Sequence, residues 1–401
     1  MQNYQPSDEI LDRYAKVLVN FALNHGKGIK KGEVVFLQVP ESAKPLLISL
    51  QKVVLQSGGH AIIQYLPDEM QKDFYDLATD EQIKFFPSKF LKGKIEQADH
   101  FITILAETNL HELEGVDPLK IMNKNVTMKP YLDWRNLKET KGKFSWTLGL
   151  YATPAMAKEA GMSLASCWKQ IIRACYLDNP NPVGEWKKIQ TEINRVKDKL
   201  NNLQINSLHI KSKNSDFTVG IDQNRQWLGG SGANIPSFEL FISPDWRQTN
   251  GHIYFDQPLY RYGNLIKDIS LDFESGIIKN AQAKCGQKVL DELIKVKNAD
   301  KIGEFSLTDK RISRISQFMA ETLYDENYGG KYGNTHIALG QAFKDSYSGI
   351  ASKVKTIEWE KMGFNDSVIH VDLVSTENRT VTAKLTGGKE LVIYQNGIFD
   401  I

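Results

Sequence analysis

Two short segments carry the residue types most able to do chemistry: Asn334-Thr335-His336, and the run from Asn365 that ends in His370-Val371-Asp372. A histidine and an aspartate at i and i+2 on an extended stretch project to one face, as when a strand presents two metal ligands together. Two glutamates extend the set. Glu239 stands in Asn234-Ile-Pro-Ser-Phe-Glu-Leu-Phe-Ile-Ser-Pro244, a run apolar enough to be buried, where an uncompensated carboxylate is costly. Glu304 stands in Ile302-Gly-Glu-Phe-Ser-Leu307, again an acid among strand formers. Taken singly, each is an ordinary core histidine or salt-bridge acid. Taken together, two Glu, two His and one Asp supply donors for two divalent ions about 3.5–4 Å apart, with carboxylates to bridge them. His25, His60, His100, His111, His209 and His252 have no comparable partner at ligand spacing, and packing or exposed positions are expected for them.

The elements that must position these residues fall into two textures. From residue 30 to about 150, strands alternate with helices. Glu33–Val39, His60–Leu66 and His100–Ala106 read as strands, and Ala43–Gln56 and a stretch from Asp80 through Leu91 as helices. That alternation predicts a parallel sheet covered by helices. An amphipathic helix opens the chain after Ser7, and Pro154–Tyr176 reads as helical. Leu177-Asp-Asn-Pro-Asn-Pro-Val-Gly184 is the expected linker, giving domains of 1–180 and 181–401. Beyond a helix at Trp186–Leu200, short alternating runs at 207–210, 217–221, 252–255 and 391–394 predict a largely antiparallel α+β domain carrying the metal site. Gly58-Gly59 closes a helix instead of opening one and lacks the G-x-G-x-x-G spacing, so a dinucleotide loop is not expected there.

Bulk properties exclude several classes. The chain's 50 basic residues nearly balance its 48 acidic ones, without the basic excess of a nucleic-acid binder. Three cysteines in no CxxC arrangement support neither a disulfide framework nor a cysteine zinc site. The first residues show no basic and apolar secretory pattern, and no apolar run nears the roughly 18 residues of a membrane span. A cytoplasmic protein with no membrane partner is the expectation.

Four ordered segments also resemble the thermophilic metallo-aminopeptidases of the aminopeptidase T and aminopeptidase S type: Asn234–Pro244, Gly303-Glu304, Leu323–Asn327 through His336-Ile-Ala-Leu-Gly340, and Asn365–Asp372. The resemblance runs along essentially the whole chain. It implies that Glu239, Glu304, His336, His370 and Asp372 ligate two divalent ions, zinc, cobalt or manganese. The implied reaction removes the N-terminal residue from peptides by a metal-activated water, in a homodimer. Among the acids, Glu304 is also the candidate general base where it is not fully committed as a ligand. One position departs from the pattern: where the family reads His-x-Ala-Leu-Gly-x-Ala-Tyr, this chain ends in Phe343, which has no hydroxyl to donate. Tyr347, one turn further if the segment is helical, is the candidate substitute as an oxyanion donor. The glycine-rich Tyr328–Gly333 stretch reads equally as a substrate-approaching loop or as plain surface. The rival readings are a carboxypeptidase or dipeptidase on the same chemistry, and a metal-binding protein without turnover.

Overall fold

The computed structural model describes residues 4–222, 224–261 and 263–401. Two compact units emerge from its contacts: 1–192 with 230–237 and 317–324, and 193–229 with 238–316 and 325–401. The division falls inside the helix Pro182–Asn202, later than the expected boundary at 180. Pro182 is not a linker residue but the first residue of that helix, where its fixed φ suits a helix start and its missing N–H costs nothing.

In the first unit a parallel sheet runs in the order His60–Leu66, Val34–Pro40, His100–Leu105, Ser145–Leu150 and the short Asn234–Ile235. The central strands are near-continuous apolar runs because helices cover both of their faces. Ser7 caps the opening helix, Asp8–Val17, accepting from the Ile10 N–H. The stretch predicted as helical from Asp80 to Leu91 is instead two helices, Asp80–Ile83 and Ser88–Gln97. Pro87 separates them, since proline disfavours helical geometry in the residue before it. Cys167 and Cys175 are buried and Cys285 is exposed, all as free thiols.

The second unit is built on antiparallel sheets, as the alternating texture of the sequence predicts. A nine-stranded sheet includes Ile205–Lys211, Asp216–Gly220, Asp245–Phe255, Asn264–Glu274, Ile277–Cys285 and Thr380–Leu385. A five-stranded sheet runs His370–Ser375, Asn334–Gly340, Ile302–Thr308, Glu239–Ile242 and Leu228–Gly229. All seven residues of Ile302–Thr308 and all seven of Asn334–Gly340 are buried. Beyond the start of the first strand, Phe305, Leu307, Ile337 and Leu339 form one apolar face, and Glu304, Ser306, His336 and Ala338 lie on the other. Among the described residues, no helix is long and apolar enough to cross a membrane.

Candidate metal centre

The even-numbered face of the five-stranded sheet gathers every sequence-predicted ligand. Glu239 pairs with Thr308, Ser306 with His336, and Ala338 lies between Glu304 and Asp372. Gly340 pairs with His370. The residues interleaved with the ligands, Ser306, Ala338 and Gly340, are small, so the ligand side chains converge above them.

Local backbone features make this convergence possible. A bulge between Ile302 and Glu304 shifts the register by one residue, so that Ile302 pairs with core-facing Leu339 while Glu304 pairs with Ala338 on the site face. An undisturbed strand would put both on one side; the bulge re-aims the acid. Gly303 occupies the inserted position because a Cβ there would lie 2.4 Å from the Gln341 carbonyl oxygen. Gly340 has φ of +100°, and a Cβ would meet the Ile369 carbonyl oxygen at 2.2 Å. Asn365 pins the lead-in to His370 by donating to the carbonyls of Gly340 at 2.6 Å and Asn298 at 2.7 Å.

The side chains then meet at close range. His336 Nε2 lies 3.1 Å from Glu239 Oε2 and 3.2 Å from Glu304 Oε1. His370 Nε2 lies 3.5 Å from Glu304 Oε2 and 3.3 Å from Asp372 Oδ1. Glu304 thus turns one oxygen to each histidine. On their far sides, His336 Nδ1 faces the Glu326 carbonyl at 3.2 Å and His370 Nδ1 faces the Gln341 carbonyl at 2.8 Å. A carbonyl can only accept, so each Nδ1 must carry the proton, and in the neutral ring the Nε2 lone pair points into the cluster as a metal ligand requires. Ser306 Oγ steadies the remaining carboxylate, donating to Glu239 Oε2 at 3.2 Å.

Three groups of potential ligand atoms result: Glu239, Glu304 and His336; Glu304, His370 and Asp372; and Glu326, His336 and Asp372. Glu326 was not among the residues singled out from the sequence. It sits in Leu323-Tyr-Asp-Glu-Asn327, and its buried position was its one distinguishing signal, which the local composition hides. Elsewhere, His100, His209 and His252 also face carboxylates, Glu33, Asp216 and Asp272, but as pairs; among the described residues the groups of three all lie at this face.

Charge decides what the cluster needs. Burial pushes the Glu239 and Glu326 carboxyls up, Glu326 well above the usual range, with neighbouring acids adding to its shift. Burial acts the same way on Glu304 and Asp372, but hydrogen bonds from His336 and His370 to Glu304, and the His370 charge beside Asp372, hold both below it. The imidazoles are drawn well above their ordinary value: burial opposes the shift, and the surrounding carboxylates overcome it. Four carboxyl groups surround the two imidazoles, and the charge of the Arg261 guanidinium reaches Asp372. A buried set of carboxyl oxygens and imidazole nitrogens of this kind fits divalent cations.

The aromatic positions resolve differently from one another. Phe343 lies at the site, its ring 4.9 Å from the His370 ring and 5.5 Å from Phe241, both edge to face. Tyr347 does not follow it on a helix. Lys344–Ser346 is a single tight turn and Tyr347 is extended, with its ring against Trp359 at 5.5 Å and Phe364 at 6.4 Å. Its hydroxyl has no hydrogen-bond partner among the described residues, so the helical spacing that recommended it as a substitute donor is absent. The Tyr328–Gly333 stretch is held on several sides: Gly329 N–H donates to the Ile315 carbonyl, and Tyr394 donates to the carbonyls of Thr308 and Tyr332.

The family described as thermophilic metalloprotease (M29) matches residues 7–399. The chain belongs to the M29 family. Its relatives include aminopeptidase 2 of Geobacillus stearothermophilus, 27% identical over 410 residues, with 96% of this chain and 97% of the relative covered. Aminopeptidase AmpS of Bacillus subtilis (strain 168) is 26% identical over 412 residues, with the same shares. The solved structure of wild-type AmpT from Thermus thermophilus has the same fold, with a TM-score of 0.82 at 22% identity, over 98% of this chain and 99% of that one. This M29 chain is accordingly a metallo-aminopeptidase, a hydrolase acting on peptides through a divalent metal.

Proposed function

We propose that the protein is a two-metal aminopeptidase, with Glu239, Glu304 and His336 holding one divalent cation, Glu304, His370 and Asp372 a second, and Glu304 shared. The observation that carries this reading is the disposition of Glu304, one oxygen toward each histidine. Such ions supply Lewis-acid polarisation of a peptide carbonyl and lower the pKa of water enough for attack near neutral pH. The chain's own residues do the rest. The two Nδ1–H···O=C contacts fix each imidazole's tautomer and direction before any ion or substrate arrives. Glu326 adds a buried carboxylate beside His336 and Asp372. With one oxygen left uncommitted to the cations, Glu304, central to two of the ligand groups, would take the proton from the attacking water and return it to the leaving amine. The substrate is a peptide with a free N-terminus, whose α-amine one of the cations would receive.

Zinc, cobalt or manganese and a homodimeric assembly belong to the same proposal, on the resemblance of the sequence motifs. Chelation should abolish cleavage of an aminoacyl-anilide, and added zinc, cobalt or manganese should restore it. Blocking the peptide's N-terminus should also abolish cleavage. Full activity in metal-stripped protein, or undiminished cleavage of blocked peptides, contradicts the proposal.

A further inference from the structure

The side chains bordering the ligand cluster are not uniformly polar. Phe241 follows Glu239 by two residues on its strand and therefore shares the site face, one position across Ser306 from His336. Phe343 comes from the turn after Gly340, its backbone N–H fastened to Ser243 Oγ at 2.9 Å. Its ring touches both Phe241 and the His370 imidazole, so an aromatic row runs from the Glu239 strand to the His370 strand beside the ligands. Both phenylalanines are only half-buried, whereas Ala338 and Val374 on the same face are buried. Half-exposed rings this close to a cluster of carboxylates are apolar surface left open where the rest of the face is polar or closed.

We propose, resting on the two-ion reading above, that Phe343 with Phe241 is the specificity-determining wall that receives the first side chain of the peptide and selects apolar residues there. A peptide whose terminal amine and first carbonyl engage the cluster has its first side chain within reach of this wall. Leucine or phenylalanine buries carbon against the rings. A glutamate or lysine loses hydration there without gaining a partner of opposite charge from the rings, and glycine leaves the rings uncovered. The edge-on contact with His370 makes the same ring a packing partner of a ligand, so the test must separate selection from ligand positioning.

The experiment compares anilides of Leu, Phe, Gly, Lys and Glu on the full-length, metal-restored protein and on its Phe343→Ala, Phe343→Leu and Phe241→Ala variants, with bound metal measured for each. Leu and Phe substrates are expected to lead Gly, Lys and Glu by about tenfold or more in kcat/KM, the scale on which an apolar pocket discriminates. Phe343→Ala and Phe241→Ala should each remove most of that lead, read as a fall in the Leu-to-Gly ratio of kcat/KM, and Phe343→Leu should preserve it. A wild-type ranking led by Gly, Lys or Glu overturns this inference alone and leaves the two-ion reading standing. A Phe343→Ala variant that loses Gly and Leu turnover equally also overturns it, assigning the ring to holding His370. No cleavage of any of the five with both ions bound overturns the inference and the two-ion hydrolase together.

Discussion

Ser306→Ala is a substitution of one buried oxygen whose consequence should be confined to half of the site. Ser306 is fully buried, and its hydroxyl donates to Glu239 Oε2 at 3.2 Å. Nothing else in the ligand set receives a hydrogen bond from it. A hydrogen bond to a charged acceptor contributes about 1.5–3 kcal/mol. At about 1.4 kcal/mol per tenfold, this corresponds to roughly 10- to 150-fold in affinity, close to the 10–100-fold typical of losing a partner that orients a ligand. Glu239 belongs to the group with Glu304 and His336 but not to the group with Glu304, His370 and Asp372. The expected outcome is therefore asymmetric: one ion weakened by that factor and the other held as in the wild type. Competition with a chromophoric chelator resolves the two affinities, and circular dichroism checks that the fold is kept. Equal weakening of both ions, or no change in either, refutes the geometry by which Ser306 supports Glu239 and not the whole cluster.

The other substitutions follow from the same contacts. Glu304→Gln removes a charge common to both groups, so both ions should weaken by more than about 100-fold, beyond the range for an orienting partner, as read in the same competition assay. Gly340→Ala forces a side chain into a backbone at φ of +100° and against the Ile369 carbonyl. It should destabilise the fold by more than about 1 kcal/mol in urea unfolding and lower metal content, because His370 pairs with that residue. Tyr347→Phe removes a hydroxyl that has no described partner, and kcat should stay within about twofold of wild type.

The candidate ligands stood out in the sequence because metal chemistry restricts residue types: His and Asp spaced by two, and acids inside apolar runs, are expensive features that packing alone does not explain. The parallel and antiparallel textures were legible for a related reason, since burial on two faces and on one leave different hydrophobic patterns in the chain. What stayed hidden depends on pairing between distant segments. Glu326 joins the cluster because its loop returns beside His336 and Asp372, and no local pattern encodes that return. The bulge that turns Glu304 toward the site appears in the sequence only as the dipeptide Gly303-Glu304, which many other structures could use. Tyr347 shows the opposite error, a local spacing argument applied to a segment that is not a helix. Phe343 was visible as a departure from a motif, but its contact with His370 needed the fold.

Titration of metal into stripped protein, with hydrolysis of a leucine anilide and bound metal measured at each addition, tests the central claim most directly. Activity that saturates only at two ions per chain, with neither ion held normally in Glu304→Gln, is the predicted result. Full activity at one ion per chain, or normal binding of both ions without the Glu304 carboxylate, would contradict it.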